Sequence, residues 1–185
     1  FSASSLRSLS KEFLFKLRKI CDDKNIVLIF DEVFTGWAKT GELFYFLHYE
    51  NLIPDILTFS KSFGGGKASI SGYVVRDKFF AKSYDSLKDF NLHSTTYNGF
   101  GEENVTALEA VNIIIEENYS NKAKIIGEKI KPNLLKLKKK YPKIIKEING
   151  VGALQGLRLS IESLIVNKLT KYVPIIKLNN SRFIE

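Results

Sequence analysis

The chain has 185 residues, of which 44% are hydrophobic, and this is enough apolar material for one domain with a packed core. No apolar run approaches the ~20 residues that a membrane-spanning helix needs, and we expect no signal peptide ahead of the first helix. The only cysteine, Cys21, excludes a disulfide framework and favours a reducing, cytoplasmic compartment, and the sequence holds no metal-ligand pattern.

The formal net charge is +8, and a basic balance of this kind can indicate nucleic-acid binding. Much of the excess lies between Lys129 and Lys146, where lysines alternate with isoleucine and leucine as on the solvated side of an amphipathic helix. No basic motif with interleaved aromatic residues accompanies it. We therefore expect a solvated helix face here, and neither nucleic acid nor membrane as a partner.

The first predicted elements are a helix and a strand. Apolar residues recur at helical spacing from Ser4 to Cys21, and a short polar turn separates them from the apolar run Ile26 to Phe30. This run is rich in β-branched residues and too short for a free-standing helix, so it predicts a buried strand. A helix that leads into a strand in this way is half of an α/β unit and favours a parallel sheet.

The later elements follow the same logic. Apolar patterning predicts strands at Ile56–Phe59 and Ser69–Arg76, and helices at Asp77–Tyr84, Glu102–Glu117 and Tyr119–Tyr141. Asp77 is a candidate cap for the first of these helices, and Pro132 is expected to bend the last.

An acid and an amine follow two neighbouring predicted strands. Asp31 comes directly after the first strand, and Lys61 follows the second, ahead of Gly64, Gly65 and Gly66. Ligands bind at this edge of open α/β sheets, and glycines let them approach the backbone. An amine can form a Schiff base with an aldehyde, and a carboxylate facing a pyridine nitrogen keeps that ring protonated. Asp31 and Lys61 together therefore fit a pyridoxal phosphate site.

Each of these residues also has an ordinary interpretation. A single Asp at a strand end often caps a turn, and a single Lys is usually a solvated surface residue. Lys67 is a second candidate amine, ranked below Lys61 because it follows the glycines rather than the strand.

The order and spacing of several motifs resemble those of the class III pyridoxal-phosphate-dependent aminotransferases. The motifs are Asp31-Glu32-Val33-Phe34-Thr35-Gly36, Lys39-Thr40-Gly41, Pro54-Asp55-Ile56-Leu57-Thr58, Ser60-Lys61-Ser62-Phe63-Gly64-Gly65-Gly66 and His93-Ser94-Thr95-Thr96-Tyr97-Asn98-Gly99. The resemblance covers roughly residues 1 to 160 and implies that Lys61 carries the Schiff base and that Asp31 pairs with the pyridine nitrogen. It also implies that Val33 packs on one face of the cofactor ring and that Thr96 binds the cofactor phosphate in the partner subunit of a homodimer.

The resemblance also implies a fold and a domain division. Residues 1–140 would form part of the large α/β domain of a fold-type-I enzyme, a mostly parallel sheet with flanking helices. Residues 141–185 would begin the small C-terminal domain.

Three positions depart from the family pattern. Phe34 stands where family members often carry a Gln that reaches the phenolic oxygen of the cofactor, and Lys39 stands where Arg is common. Asn98-Gly99-Phe100-Gly101 replaces a common Gly-Asn-Pro. Trp37, in the same loop as Phe34, either lines a substrate pocket or packs the loop.

The resemblance implies a transaminase that moves an amino group from a small amine or amino acid to a carbonyl acceptor. An aminomutase or racemase on the same fold, and a non-catalytic relic or interaction module, remain alternatives. The sequence contains no Met, so we expect the chain to be a piece of something longer. Because it lacks the family's upstream phosphate loop and distal substrate-binding segment, we expect weak or no activity from the chain alone.

Overall fold

The structure, a computed structural model, describes residues 4–89, 91–96, 98–99 and 101–160. The helices are α1 (Lys11–Asp23), α2 (Asp77–Ser83), α3 (Gly101–Glu116) and α4 (Tyr119–Lys140), with short 3₁₀ helices at Tyr45–His48 and Lys61–Gly64. The strands are β1 (Ile29–Asp31), β2 (Ile56–Phe59), β3 (Gly72–Val75), β4 (Ile145–Val151) and β5 (Leu154–Leu159). The predicted small-domain residues 161–185 and the motif residue Tyr97 lie outside the described residues.

Helix α1 begins seven residues later than the sequence pattern predicts, at Lys11 rather than Ser4. Ser10 is its N-cap, and the Ser10 hydroxyl accepts a hydrogen bond from the Phe13 N–H at 3.2 Å. Ahead of it, Leu6 has a left-handed φ of 52°, which a helix does not allow. The apolar spacing continued through this stretch, but the side-chain cap decided where the helix starts.

The main sheet has the order β1-β2-β3. β1 and β2 are parallel, with Asp31 opposite Thr58, which confirms the predicted parallel pairing. β3 is antiparallel to β2, so the described part of the sheet is mixed, which is consistent with part of a large α/β domain. β2 has the predicted bounds. The first predicted strand begins three residues too early and ends one residue too soon, and the third begins three residues too early and ends one residue too late.

The prediction of a buried first strand was wrong for most of the run. Only Leu28 is buried, whereas Ile26 and Ile29 are 53% and 54% exposed. The reason is that β1 is an edge strand of the described sheet, and no described element covers its Ile29 side.

A buried ion pair joins α1 to the sheet. The Asp55 carboxylate, 1% exposed, accepts hydrogen bonds from Arg18 Nη1 at 2.8 Å and from the Leu28 N–H at 2.9 Å. Burial alone would raise the pKa of Asp55, but the Leu28 N–H and the Arg18 guanidinium lower it below its ordinary value. These contacts fix α1 against the beginnings of β1 and β2.

Helix α3 packs on the turn that carries Lys61. A Cβ at Gly65 would lie 2.9 Å from the Cβ of Ala110, and Gly65 has a φ of 60°. Glycine is therefore required here by helix packing and backbone conformation. At Gly66 only the backbone conformation favours glycine, because its φ is 74° but a Cβ there would meet nothing within 4 Å.

Helix α4 runs through Pro132 without a break and packs on the β4–β5 hairpin. The approach is close, because a Cβ at Gly127 would lie 2.4 Å from the Gly152 carbonyl oxygen. Within the described residues, every helix is too short or too polar to span a bilayer. The domain division near residue 140 stays a prediction.

Candidate active site

A buried carboxylate organises the loop that follows β1. Glu32 is 3% exposed, and its Oε2 accepts hydrogen bonds from Thr35 Oγ1 at 2.7 Å and from the Tyr45 N–H at 2.6 Å. Its Oε1 accepts from the Phe46 N–H at 2.8 Å. One side chain thereby holds the loop from residue 32 to residue 46 together. Sequence analysis missed this role, although an acid directly after Asp31 was the available signal.

Asp31 and Val33 lie at the C-terminal end of β1. Asp31 is exposed and Val33 is half-buried. The Val33 N–H donates to Asp31 Oδ1 at 3.0 Å, which closes a short turn that fixes the carboxylate. No ion pair neutralises Asp31 among the described residues, so its carboxylate is available to a ligand.

Lys61 begins a short 3₁₀ helix two residues after β2 ends. It is exposed, and its φ of 48° is left-handed, which is uncommon for a residue with a side chain. Its ammonium makes no hydrogen bond or ion pair with any described residue. It lines a cavity of about 290 Å³ together with Ser60 and residues 68–71.

Asp31 and Lys61 share one edge of the sheet. Because β1 and β2 are parallel and Asp31 is opposite Thr58, Lys61 lies three residues farther along the neighbouring strand's path. Lys61 lines the 290 Å³ cavity and Asp31 does not. A carboxylate that can accept from a pyridine nitrogen and an amine that has no described partner, at adjacent strand ends, are two of the groups that would hold pyridoxal phosphate.

A second amine, Lys39, lies in the same region and was noted from the sequence only as a replacement for Arg. Its Nζ donates to the Gly36 carbonyl at 2.7 Å and to Ser62 Oγ at 2.9 Å. Burial first, and then the charge of Lys61, lower the pKa of Lys39 to about 8, while Glu32 acts in the opposite direction.

Trp37 packs its loop against the turn that carries Lys61. Its ring stacks on Phe63 with centroids 4.9 Å apart and meets Phe44 and Phe59 edge-on at 5.1 and 5.3 Å. Trp37 is buried, and its indole N–H has no partner among the described residues. Of the two alternatives, these contacts favour packing.

Thr96 lies in an exposed loop after β3 and α2. The loop is attached to β3 by His93, whose ring stacks on Tyr73 at 5.0 Å, and is closed by the Asn98 side-chain amide, which donates to the His93 carbonyl at 3.0 Å. The Thr96 hydroxyl has no hydrogen bond within the described part of the chain. Its role toward a partner subunit therefore stays a prediction, as do the cofactor roles of Asp31, Val33 and Lys61.

A larger cavity, of about 500 Å³, lies between α4, the β4–β5 hairpin turn, Thr40 and the 3₁₀-helix residue His48. Neither Asp31 nor Lys61 lines it. Although this cavity is larger, it does not contain the acid and the amine. The sheet edge that carries them is therefore the better candidate for the active site.

Comparison with known proteins places residues 3–173 in the family model for class III aminotransferases. An uncharacterized aminotransferase of Schizosaccharomyces pombe is 32% identical over 149 residues, which is 78% of this chain and 30% of that protein. The chain therefore spans about a third of this relative's length.

Solved structures of aminotransferases are also similar to this chain. An ornithine aminotransferase from Toxoplasma gondii is 30% identical, with a TM-score of 0.76 over 88% of this chain and 37% of that one. A taurine:2-oxoglutarate aminotransferase from Bifidobacterium kashiwanohense, solved with PLP and glutamate, is 25% identical, with a TM-score of 0.78 over 85% of this chain and 34% of that one. An omega-transaminase from Thermomicrobium roseum is also 25% identical, with a TM-score of 0.79 over 86% and 35%.

Proposed function

This chain belongs to the class III aminotransferase family, and we propose that it is the catalytic portion of a pyridoxal-phosphate-dependent transaminase. The reaction moves an amino group from a small amine or amino acid to a carbonyl acceptor. The observation that carries the proposal is the pairing of β1 with β2, which brings an exposed carboxylate and an unpaired amine to one sheet edge.

Each side chain has a defined part in this proposal. Lys61 would hold the cofactor aldehyde through its amine and would carry a proton as general base and acid. Asp31 would keep the pyridine nitrogen protonated, and the bound cofactor would supply an electron sink for the substrate carbon. Val33, at the start of the next turn, would pack against the cofactor ring.

The rest of the site belongs to the larger assembly that we propose. The protein is a cytoplasmic homodimer, and Thr96 of one subunit binds the cofactor phosphate held by the other. Residues 1–140 contribute to the large domain and residues 141–185 begin the small one. Since the chain spans about a third of its relatives, we expect weak or no turnover from these 185 residues alone.

Reductive trapping tests the assignment. The protein is incubated with pyridoxal phosphate and reduced with borohydride, and the labelled peptide is identified by mass spectrometry. We expect the label on Lys61, and its loss in Lys61→Ala but not in the control Lys67→Ala. Label on Lys67 in the unmutated protein, or label on no lysine of this chain, would refute the proposal.

A further inference from the structure

Two loops meet beside Lys61 through one side chain. Lys39, in the loop after β1, donates one hydrogen bond to the Gly36 carbonyl of its own loop and one to the Ser62 hydroxyl of the Lys61 turn. Ser62 is the residue next to Lys61. The Lys39 ammonium therefore connects the two loops at the base of the Lys61 side chain.

The backbone is strained on both sides of this contact. Trp37 and Ala38, directly before Lys39, have φ values of 63° and 70°, and Lys61 has 48°. Residues with a side chain hold such angles only where surrounding contacts leave no alternative. The Lys39–Ser62 hydrogen bond is one contact that joins the strained segments.

Two further contacts hold Lys39 in place. Its carbonyl accepts a hydrogen bond from the Ala153 N–H at 3.0 Å, which ties its backbone to the β4–β5 turn. The stacking of Trp37 on Phe63 gives the loops an apolar contact two residues before Lys39 and one after Ser62. The Lys39 backbone is thus fixed independently of its ammonium. Changing the head group therefore removes the polar contacts and the charge beside Lys61 and leaves these two contacts in place.

The positive charge on Lys39 contributes to the strength of its two side-chain hydrogen bonds. A lysine ammonium has three donors, and the Gly36 carbonyl and Ser62 hydroxyl use two of them. Below its pKa of about 8 the group is mainly charged, which strengthens both bonds. The charged neighbours that act on it are Lys61 and Glu32.

We propose that Lys39 is a positioning residue for Lys61: it holds the strained turn after β2 through Ser62 and so presents the Lys61 amine at the sheet edge. This inference rests on the proposed function, because it assigns the presented amine to the cofactor aldehyde. Lys39 itself does not touch the reacting atoms in this assignment.

The first test measures the rate at which pyridoxal phosphate, trapped by borohydride, labels Lys61. Lys39→Met keeps most of the apolar stem and removes the donors to both Gly36 and Ser62. Only the bond to Ser62 reaches the Lys61 turn, and a charge-assisted hydrogen bond is worth about tenfold, so we expect labelling about tenfold slower. Lys39→Arg restores charge and donors, so we expect a rate within about twofold of the original. Lys67→Met removes an exposed lysine from the same segment and serves as the matched control.

The second test needs no cofactor. The Phe63 N–H is bonded to the Ser60 carbonyl and the Gly65 N–H to the Ser62 carbonyl, and both bonds belong to the Lys61 turn. We expect faster hydrogen exchange of these amides in Lys39→Met, and unchanged exchange in Lys39→Arg and Lys67→Met. The thermal midpoints of the variants show whether any change is local.

The outcomes separate the two proposals. Normal labelling of Lys61 in folded Lys39→Met overturns the inference. If Lys39→Met does not fold, Ser62→Ala decides in its place, and normal labelling in that variant overturns the inference. If the unmutated protein does not label on Lys61, the proposed function fails, and amide exchange alone decides whether Lys39 holds the turn: faster exchange supports it and unchanged exchange overturns it.

Discussion

The two ends of the β1–β2 pair differ in the burial and pairing of their charged residues. At the beginning of the strands, Asp55 is 1% exposed and bonded to Arg18 and to the Leu28 backbone. At the far end, the Asp31 carboxylate is exposed and bonded, among the described residues, only to the Val33 N–H, and the Lys61 ammonium has no described partner. The paired end stabilises the fold, and the other end is the one at which we propose that the cofactor binds.

This difference shows why the sequence motifs do not all have the same purpose. Asp31 and Asp55 both belong to motifs shared with the family, but only one of them faces outward. A charge buried with its partner is costly to disturb, whereas an exposed carboxylate can be changed at little cost in stability. Stability measurements therefore distinguish a structural acid from a ligand-binding one.

The largest expected effect is that of Asp55→Ala. It leaves the Arg18 guanidinium, whose side chain is 11% exposed, without its buried partner, so we expect the free energy of unfolding to fall by about 3–5 kcal/mol. Urea denaturation measures the change. Asp22→Ala is the control, because Asp22 is the exposed second partner of Arg18 and should cost at most about 1 kcal/mol. Equal losses from both variants would contradict the comparison.

A smaller loss is expected from Glu32→Gln. The amide nitrogen of Gln would face an N–H or O–H donor where Glu32 now accepts three hydrogen bonds, and we expect a loss of about 1–3 kcal/mol in urea denaturation. This result would show that the end of the strand pair that carries Asp31 itself depends on a buried acid. An unchanged midpoint would mean that the loop does not depend on that carboxylate.

Glu147 is a paired but half-exposed carboxylate, so we expect its contribution to stability to lie between those of Asp55 and Asp31. Hydrogen bonds from Arg7 and then Arg158 lower the pKa of Glu147 to about 2 from an ordinary 4.5. The stabilisation is therefore fully present above pH 4.5 and is lost as the pH falls toward 2. We expect Glu147→Gln to reduce the pH dependence of the unfolding midpoint in that window, with an effect smaller than that of Glu32→Gln. Identical pH profiles of the unfolding midpoint for Glu147→Gln and for the unmutated protein would contradict this assignment.

The smallest expected change in stability is that of Asp31→Asn. Because the Asp31 side chain is exposed and its Asn replacement can still accept from the Val33 N–H, we expect a change within about 0.5 kcal/mol. Pyridoxal phosphate retention should nevertheless fall, since the amide cannot hold the ring nitrogen protonated. A stability loss comparable to that of Asp55→Ala would remove the distinction between the two ends.

Much of the candidate site could be predicted from the sequence, because it depends on the order of residues along the chain. An acid and an amine after two apolar runs specify two strand ends, and parallel pairing then places both at one edge. Lys39 and Glu32 were not readable in the same way. Their roles depend on partners 23 and up to 14 residues away, which the loops bring together only in the folded chain.

The amino-acid sequence by itself determined the family, the bounds of β2, and which acid and amine follow the strands, because these are matters of pattern along the chain. Tertiary structure alone decided that Asp55 is buried and Asp31 exposed, that Lys39 joins Ser62, and that Gly65 meets Ala110. Burial and contact depend on which segments meet across the fold. A short-range sequence pattern carries no information about which segments meet.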